Sequence, residues 1–207
     1  MDYFLGEEQK MVRDLARQIA EEKILPVRAH YDETEEFPWE IVRVLAESDL
    51  FGVYIPEQYG GMGYGVFELC LVIEELSRVC GGIALSLAGT ALGAFPILLF
   101  GSEEQKRTYL PSIAAGKRLA AFAVTEAEAG SDITSLRTSA VRDGSHYVLN
   151  GTKQWITNGG EADIYVVIAA TDRSKGARGS TAFIVEKGTP GFDFGKKEKK
   201  LGIRASA

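Results

Sequence analysis

The stretch that decides the fold reads Ala-Phe-Ala-Val-Thr-Glu-Ala-Glu-Ala-Gly-Ser-Asp and covers residues 121–132. An apolar strand ends there at Thr125 and leads into a Gly130-Ser131-Asp132 turn. Further along the chain stands Trp-Ile-Thr-Asn, residues 155–158. A strand end with a hydroxyl, followed by a turn with free backbone N–H groups, can hold a flat polar ring and a nearby phosphate. For either segment alone, a hairpin edge with an ordinary turn is an equally good interpretation.

The residues before this stretch have the periodicity of helices. Over residues 6–25 apolar side chains recur at helical spacing, and we expect Met11, Leu15 and Ile19 to form one stripe. Further helices are predicted from Pro38 onward, over residues 66–79, after Gly81-Gly82, and from a Ser102 cap through Tyr109. Residues 1–118 are therefore predicted to form an all-helical N-terminal domain.

Beyond residue 118 the pattern changes to short runs rich in β-branched and aromatic residues. Strands are predicted at residues 122–125, 138–141, 147–149, 164–170 and 181–185. Asp143-Gly144 and Asn150-Gly151 are typical of hairpin turns. Residues 119–207 are therefore predicted to form an antiparallel β-sandwich or barrel, and the fold class is α+β.

Composition and charge restrict the possible functions. The chain is 45% hydrophobic and 25% charged, which is ordinary for a globular protein. A formal net charge of −6 argues against a broad nucleic-acid surface, because phosphate binding needs clustered Lys and Arg. One local exception consists of Lys196, Lys197, Lys199, Lys200 and Arg204. These residues indicate either a solvated strand and turn or a contact with an anionic partner.

Cysteine and histidine give no sign of a metal site or a nucleophile. Cys70 and Cys80 lack metal-ligand spacing and are expected to be buried thiols in a reducing compartment. The apolar run 83–100 is interrupted by polar residues, glycines and a proline, so it is a poor bilayer span. The N-terminus has no leader pattern. We therefore expect a cytoplasmic protein with no membrane partner.

Five segments resemble motifs of the acyl-CoA dehydrogenase family, in the family's order. Residues 124–132 resemble its V-T-E-x-x-A-G-S-D signature, and residues 155–159 resemble its W-I-T-N-G signature. Residues 56–63, 101–106 and 200–206 resemble its P-E-x-Y-G-G-x-G, G-[ST]-E-x-Q-K and K-x-G-x-R-x-S segments. The resemblance covers the whole chain, and residues 200–204 look closest to the short-chain members.

The resemblance implies a bound FAD. In that family the flavin removes a hydride from Cβ of an acyl-CoA thioester, while a glutamate takes the α-proton. The matched positions that would contact FAD are Phe122, Val124, Thr125, Gly130, Ser131, Trp155, Ile156 and Thr157. Of these, Gly130 and Ser131 would meet the pyrophosphate, and Ser131 would also touch the substrate. Plain core packing is the alternative for Phe122, Val124 and Trp155.

No catalytic base is assigned within the sequence. The acidic residues near the turn have other expected roles: Asp132 caps the following turn, and Glu126 makes structural hydrogen bonds. The family's base lies in a C-terminal helical bundle that would follow Ala207, and that bundle is absent from this sequence. The resemblance therefore implies an inactive fragment or one half of a split enzyme. Its β domain would be incomplete, with an unpaired sheet edge near Lys200.

The implied partners are an acyl-CoA substrate and an electron-transfer flavoprotein, in fatty-acid β-oxidation. A homo-oligomer, a tetramer in the full-length family, or a missing C-terminal half is also implied. The acyl-pocket floor would include Leu85, Ala88, Leu92 and Phe95, for which simple core packing is at least as good an interpretation. Two alternatives remain open: a noncatalytic module that binds acyl-CoA or a partner, and a related acyl-CoA oxidase or flavin monooxygenase.

Overall fold

Helices form the first half of the chain, and a mixed β-sheet forms most of the second half. The computed structural model describes residues 4–207. Within them the α-helices are α1 (Glu7–Ile19), α2 (Arg28–Thr34), α3 (Trp39–Glu47), α4 (Val66–Phe100) and α5 (Glu103–Ala114). A π-helical segment, Ala20–Ile24, extends α1. This order confirms the predicted fold class, a helical domain followed by a β domain.

The buried stripe of α1 lies one residue along from the predicted one. Val12, Ala16 and Ile19 are buried, whereas Met11 is 71% exposed and Leu15 lies at the exposed edge of the stripe. The sequence offers two neighbouring apolar stripes that share Ile19. The stripe with the small Ala16 faces the core because it lets α1 pack closely on α4.

Helix α4 is kinked where the sequence predicts a break. Cys80 has extended dihedral angles (φ −155°, ψ 104°), so the break falls one residue before Gly81-Gly82. A Cβ atom on Gly82 would lie 3.2 Å from Cβ of Ala205, so this glycine gives the C-terminal segment room to pack on the helix. The expectation of two buried thiols was wrong: Cys70 is exposed and Cys80 is half-buried. Leu69 and Val72 take the buried face of α4, which turns Cys70 to solvent.

By length and composition α4 could cross a membrane, and 56% of its apolar window is buried inside the protein. A helix at the centre of a protein core passes the same test. In this fold α4 contacts α1, α5 and the first strand of the sheet. It is the element on which both halves of the chain pack.

The two other predicted helix starts are confirmed. Helix α3 begins at Trp39, directly after Pro38. Ser102 caps α5: its hydroxyl accepts the Gln105 N–H at 3.2 Å, and the Gln105 side chain accepts the Ser102 N–H at 2.9 Å. Helix α5 continues past Tyr109 to Ala114, through Pro111.

All five predicted strands form. They are β1 (Ala120–Ala123), β2 (Ser139–Asp143), β3 (His146–Asn150), β4 (Ile164–Ala170) and β5 (Ser180–Glu186). Strand β4 is central: β5 pairs with it in antiparallel fashion along its whole length. On its other edge β4 pairs with β1 in parallel register and meets β2 at Ala170. The β2–β3 pair is an antiparallel hairpin.

The sheet is therefore mixed rather than wholly antiparallel as predicted. Strands β1 and β4 run parallel because the intervening chain, with the β2–β3 hairpin, forms a long crossover between them. Asp143-Gly144 makes the predicted hairpin turn, with Gly144 at φ 58°. Asn150-Gly151 does not. A Cβ on Gly151 would lie 2.4 Å from Oγ1 of Thr138, so the absence of a side chain at Gly151 lets the chain there pack closely against Thr138.

The C-terminal segment folds back onto the helices, and the predicted sheet edge near Lys200 was wrong. No strand forms after β5 in the range 4–207. Lys200 donates to the carbonyl of Ser206 at 2.9 Å, and the Arg204 guanidinium bonds the Glu35 carboxylate at 2.7 Å. That guanidinium holds the pKa of Glu35 below its usual range. The strand in the first interpretation of this basic cluster is therefore wrong, but Lys196, Lys197 and Lys199 are exposed, as expected of a solvated segment. Contact of the cluster with an anionic partner stays a prediction.

Candidate functional site

A cleft of about 330 Å³ opens between α4 and the segments that follow β1 and β3. Its lining consists of Gly89, Leu92, Phe122, Val124, Thr125, Trp155, Ile156 and Thr157. The last six in this order are positions that the motif resemblance selects. The structure thus brings together most of the predicted site, although the two motifs are well separated in sequence.

Thr125 and Thr157 supply the polar groups of the cleft. The Gln154 N–H donates to the carbonyl of Thr125 at 2.9 Å, which ties the two segments side by side. Neither threonine hydroxyl makes a hydrogen bond to any residue in the range 4–207. Both hydroxyls are therefore available to a ligand, between apolar side chains.

Trp155 stands in an unusual conformation at the rim of the cleft. Its φ is 55°, in the left-handed region that a bulky residue rarely adopts. The side chain is 72% exposed, so it is not a core aromatic residue, and that alternative is wrong for Trp155. Phe122 and Val124 are half-buried, with one side available to the cleft.

A buried ion pair lies next to the cleft lining and ties together the chain segments that carry it. Glu126, 5% exposed by side chain, accepts the N–H groups of Arg137 and Thr138 and bonds Nζ of Lys153 at 2.7 Å. Lys153 also donates to the carbonyl of Val124 at 2.8 Å. Burial alone would raise the pKa of Glu126, but the hydrogen bonds from Lys153 and Thr138 outweigh it and lower the pKa to about 2. Glu126 therefore has a structural role, as predicted, and is a poor proton acceptor.

The turn that follows Thr125 is exposed and lies outside the cleft lining. Asp132 accepts the Thr134 N–H at 3.0 Å and the Ser135 hydroxyl at 2.7 Å, so it caps the short helical turn Ile133–Ser135 as predicted. Gly130 and Ser131 are exposed beside it. Their pyrophosphate contacts, and the substrate contact of Ser131, stay predictions.

The helical wall of the cleft contains one residue that the sequence reasoning missed. A Cβ on Gly89 would lie 2.6 Å from Cγ2 of Thr157, so the loop rests directly on a bare helix backbone. The only available signal was a glycine inside a long apolar helix. Leu92, predicted for the acyl pocket, lines this cleft, whereas Leu85, Ala88 and Phe95 do not. Their acyl-pocket role stays a prediction.

Metal chemistry has no support in the described side chains. Across residues 4–207, no group of three or more His, Cys, Asp or Glu could hold a metal ion. The functional groups of the cleft are thus hydroxyl, aromatic and aliphatic, which suits a flat organic ligand with a polar edge.

Comparison with known families identifies the class of protein. The family described as acyl-CoA dehydrogenase, N-terminal domain, matches residues 6–117. The family described as acyl-CoA dehydrogenase, middle domain, matches residues 121–207. The chain therefore belongs to the acyl-CoA dehydrogenase family.

Individual relatives agree with that assignment. The chain is 47% identical over 209 residues to the short-chain specific acyl-CoA dehydrogenase of Clostridium acetobutylicum, covering 100% of this chain and 55% of the relative. It is 46% identical over 201 residues to an acyl-CoA dehydrogenase of Bacillus subtilis, covering 97% and 53%. The chain thus spans about half the length of the curated relatives it matches.

Solved structures show the same fold at high similarity. Butyryl-CoA dehydrogenase from Megasphaera elsdenii superposes with a TM-score of 0.95 at 42% identity, covering 100% of this chain and 55% of that one. A chain described with the electron transferring flavoprotein of Acidaminococcus fermentans gives 0.96 at 45% identity, with the same coverage. The prolyl acyl carrier protein oxidase AnaB gives 0.90 at 34% identity, covering 98% and 55%. An acyl-CoA dehydrogenase complexed with FAD, from Bacillus anthracis, gives 0.85 at 37%, covering 98% and 35%.

Proposed function

We propose that this chain supplies the N-terminal and middle domains, residues 1–118 and 119–207, of a FAD-dependent acyl-CoA dehydrogenase. The reaction is the α,β-dehydrogenation of an acyl-CoA thioester. One observation carries the proposal: Thr125 and Thr157, selected by separate motifs, line one cleft with hydroxyls that bond no residue in the described range. Relatives with this reaction in their names support it.

The residues present fit a flavin. Phe122, Val124 and Ile156 offer apolar contact to a flat ring, and the two threonine hydroxyls offer hydrogen bonds to its polar edge. The backbone of the Gly130-Ser131 turn is exposed and free to meet phosphate. When bound, FAD supplies the hydride acceptor, and the protein supplies placement.

The base that takes the α-proton comes from outside the described residues in this proposal. None of the eight residues that line the cleft is acidic, and the Glu126 carboxylate already accepts hydrogen bonds from Arg137, Thr138 and Lys153. The resemblance puts the base in a C-terminal bundle, so we expect the 207-residue chain alone to be inactive. Leu92 and Trp155 would limit access of water to the reacting carbons.

The remaining assignments, apart from the location, follow from the family. We propose a short aliphatic acyl-CoA substrate, because the Clostridium relative is named short-chain specific and Leu92 is apolar. We also propose an electron-transfer flavoprotein as partner, a homo-oligomeric assembly or a separate C-terminal half, and a cytoplasmic location.

FAD titration of the purified chain tests the proposal. We expect quenched flavin fluorescence and a shifted visible band, with weaker affinity than in a full-length relative because part of the cofactor contacts is missing. Thr125→Val and Thr157→Val should each weaken FAD binding about fivefold, the effect of one lost hydrogen bond. Thr152→Val, on an exposed residue of the same loop, is the control and should not change it. A chain that leaves the flavin spectrum unchanged would refute the flavin site and favour a noncatalytic module.

An oxidase or monooxygenase is the second candidate, favoured by the similarity to the prolyl acyl carrier protein oxidase. The two reactions differ in how reduced flavin meets oxygen. Photoreduction of the chain–FAD complex, followed by mixing with air, separates them. Slow reoxidation supports the dehydrogenase, and rapid reoxidation supports the oxidase.

A further inference from the structure

The loop wall of the cleft needs an external constraint to hold its shape. Residues 151–163 form no strand, and they include two non-glycine residues with left-handed backbone angles, Trp155 (φ 55°) and Asn158 (φ 64°). Such conformations persist only when the surroundings impose them. Asparagine tolerates this region better than most residues, whereas tryptophan does not.

Asn158 provides that constraint from a fully buried position. Its Nδ2 lies 3.1 Å from the carbonyl oxygen of Ser86, 3.1 Å from Oγ1 of Thr90 and 3.3 Å from the carbonyl oxygen of Ala120. Ser86 and Thr90 belong to α4, and Ala120 begins β1. One amide group therefore ties the loop to both the helix and the sheet.

The neighbouring groups are arranged to serve this amide. The Thr90 hydroxyl donates its own hydrogen to the Ser86 carbonyl at 2.8 Å, which leaves a lone pair for Asn158. The backbone carbonyl of Asn158 accepts the Glu161 and Ala162 N–H groups at 3.1 and 2.9 Å, which closes the turn that follows. Oδ1 of Asn158 is buried with no partner among the described residues, which costs free energy.

Gly89 completes the arrangement. A Cβ there would lie 2.6 Å from Cγ2 of Thr157 and 3.1 Å from Nδ2 of Asn158. The methyl group of Thr157 thus rests against the bare helix backbone, while its hydroxyl makes no hydrogen bond within residues 4–207. The position of Thr157 in the cleft therefore depends on how closely Asn158 holds the loop against α4.

We propose that Asn158 is a positioning residue for the cofactor cleft: through Ser86 and Thr90 it holds Thr157 against α4, and so sets where the Thr157 hydroxyl stands. The inference rests on the proposed FAD site for its ligand. It concerns a residue that lies behind the lining and is not itself in contact with the cleft. The same amide controls the loop whether or not a flavin is bound.

The test uses Thr90→Val, Thr90→Ser and Asn158→Gly in the 207-residue chain, with Asn150→Ala as the control at an exposed asparagine. Glycine at 158 keeps the left-handed backbone available and removes only the side chain. Amide hydrogen exchange over residues 159–162, without FAD, measures the loop. FAD affinity and the position of the flavin band measure the cleft, and melting temperature measures the fold.

We expect Thr90→Val to speed exchange at residues 159–162, to weaken FAD binding about fivefold and to shift the flavin band, because one hydrogen bond of the amide is lost. Thr90→Ser should restore all three, since it keeps the hydroxyl. Asn158→Gly should act in the same direction and more strongly, and Asn150→Ala should change nothing. Wild-type exchange, affinity and band position in Thr90→Val and Asn158→Gly would overturn the proposal.

Gly89→Ala tests the same geometry from the helix side and does not depend on the other variants folding. The added Cβ would lie 2.6 Å from Cγ2 of Thr157 and 3.1 Å from Nδ2 of Asn158, so it displaces Thr157 most and crowds the amide as well. FAD affinity should therefore fall at least as much as in Thr90→Val. Unchanged affinity would overturn the dependence on the Thr157 position. If the wild-type chain binds no FAD, the proposed function fails. Exchange in the flavin-free chain still decides whether Asn158 holds the loop.

Discussion

The two walls of the cleft are built in different ways. On one side Gly89 and Leu92 stand on α4, where backbone groups bond one another and side chains only need to fit. On the other side residues 155–157 stand on a loop whose position depends on Asn158 and Lys153. The helical wall should therefore be sensitive to added volume, and the loop wall should be sensitive to the loss of single polar groups.

The largest expected effect is on the loop wall, at the buried pair of Lys153 and Glu126. Lys153→Met leaves the Glu126 carboxylate buried without its cation, and removal of one partner of such a pair costs about 3–5 kcal/mol. Urea unfolding followed by circular dichroism measures the free energy of unfolding. Lys175→Met is the matched control, because Lys175 and its partner Asp172 are 67% and 40% exposed. The control should lose less than about 0.5 kcal/mol, and equal losses in both variants would contradict the buried role.

The pH dependence of stability gives a second measure of that pair. The folded-state pKa of Glu126 is about 2, below the ordinary value of 4.5. A lowered pKa contributes stability above pH about 4.5, and this stability is lost as pH falls from there towards 2. Because one pKa unit corresponds to about 1.4 kcal/mol, the contribution is of order 3 kcal/mol. Glu126→Gln has no carboxylate to protonate, so its stability lacks this pH-dependent contribution. The free energies of unfolding of the wild type and the variant should therefore converge as the pH falls. A constant difference between them over that pH range would argue against the lowered pKa of Glu126.

The fold was more predictable from sequence than the site. Helix caps and strand runs are local signals, so Pro38, Ser102 and all five strands were placed from residue patterns alone. The parallel pairing of β1 with β4 depends on where the intervening chain crosses, which no local pattern encodes. The same limit explains α1, where two adjacent stripes were available and packing against α4 selected Val12 rather than Met11.

The site was predictable only where a motif carried it. Thr125 and Thr157 lie in recognisable segments, and both line the cleft. Gly89 and Lys153 lie in stretches with no motif, and their importance comes from contacts made across 68 and 27 positions of the chain. Such long-range contacts cannot be deduced from the period of a helix or a strand.

The packing of α4, the helix that carries the helical wall, against β1 is tested by adding one methyl group. A Cβ on Gly93 of α4 would lie 2.5 Å from the backbone nitrogen of Ala121, where neither helix nor strand can yield easily. Gly93→Ala should therefore cost about 1–3 kcal/mol, as overpacking does. Gly81→Ala, in the same helix with nothing within 4 Å of the added atom, is the control. It should be neutral or stabilise the chain by up to about 1 kcal/mol. A neutral Gly93→Ala would show that the helix and β1 are less closely packed than the structure has them.

The smallest expected effect on stability, at Trp155, has the opposite sign and separates folding from binding. Trp155 is 72% exposed, so replacing it loses little buried area, and its φ of 55° suits asparagine better than tryptophan. Trp155→Asn should raise the free energy of unfolding by about 0.5–1 kcal/mol, because the strain at that residue falls. In the same variant FAD affinity should decrease, since an aromatic contact of the cleft is lost. A gain in stability with a loss of FAD affinity would indicate that the strained backbone at Trp155 lowers stability but places the indole where it contacts the ligand. A loss of both would instead mean that the indole packs to support the loop.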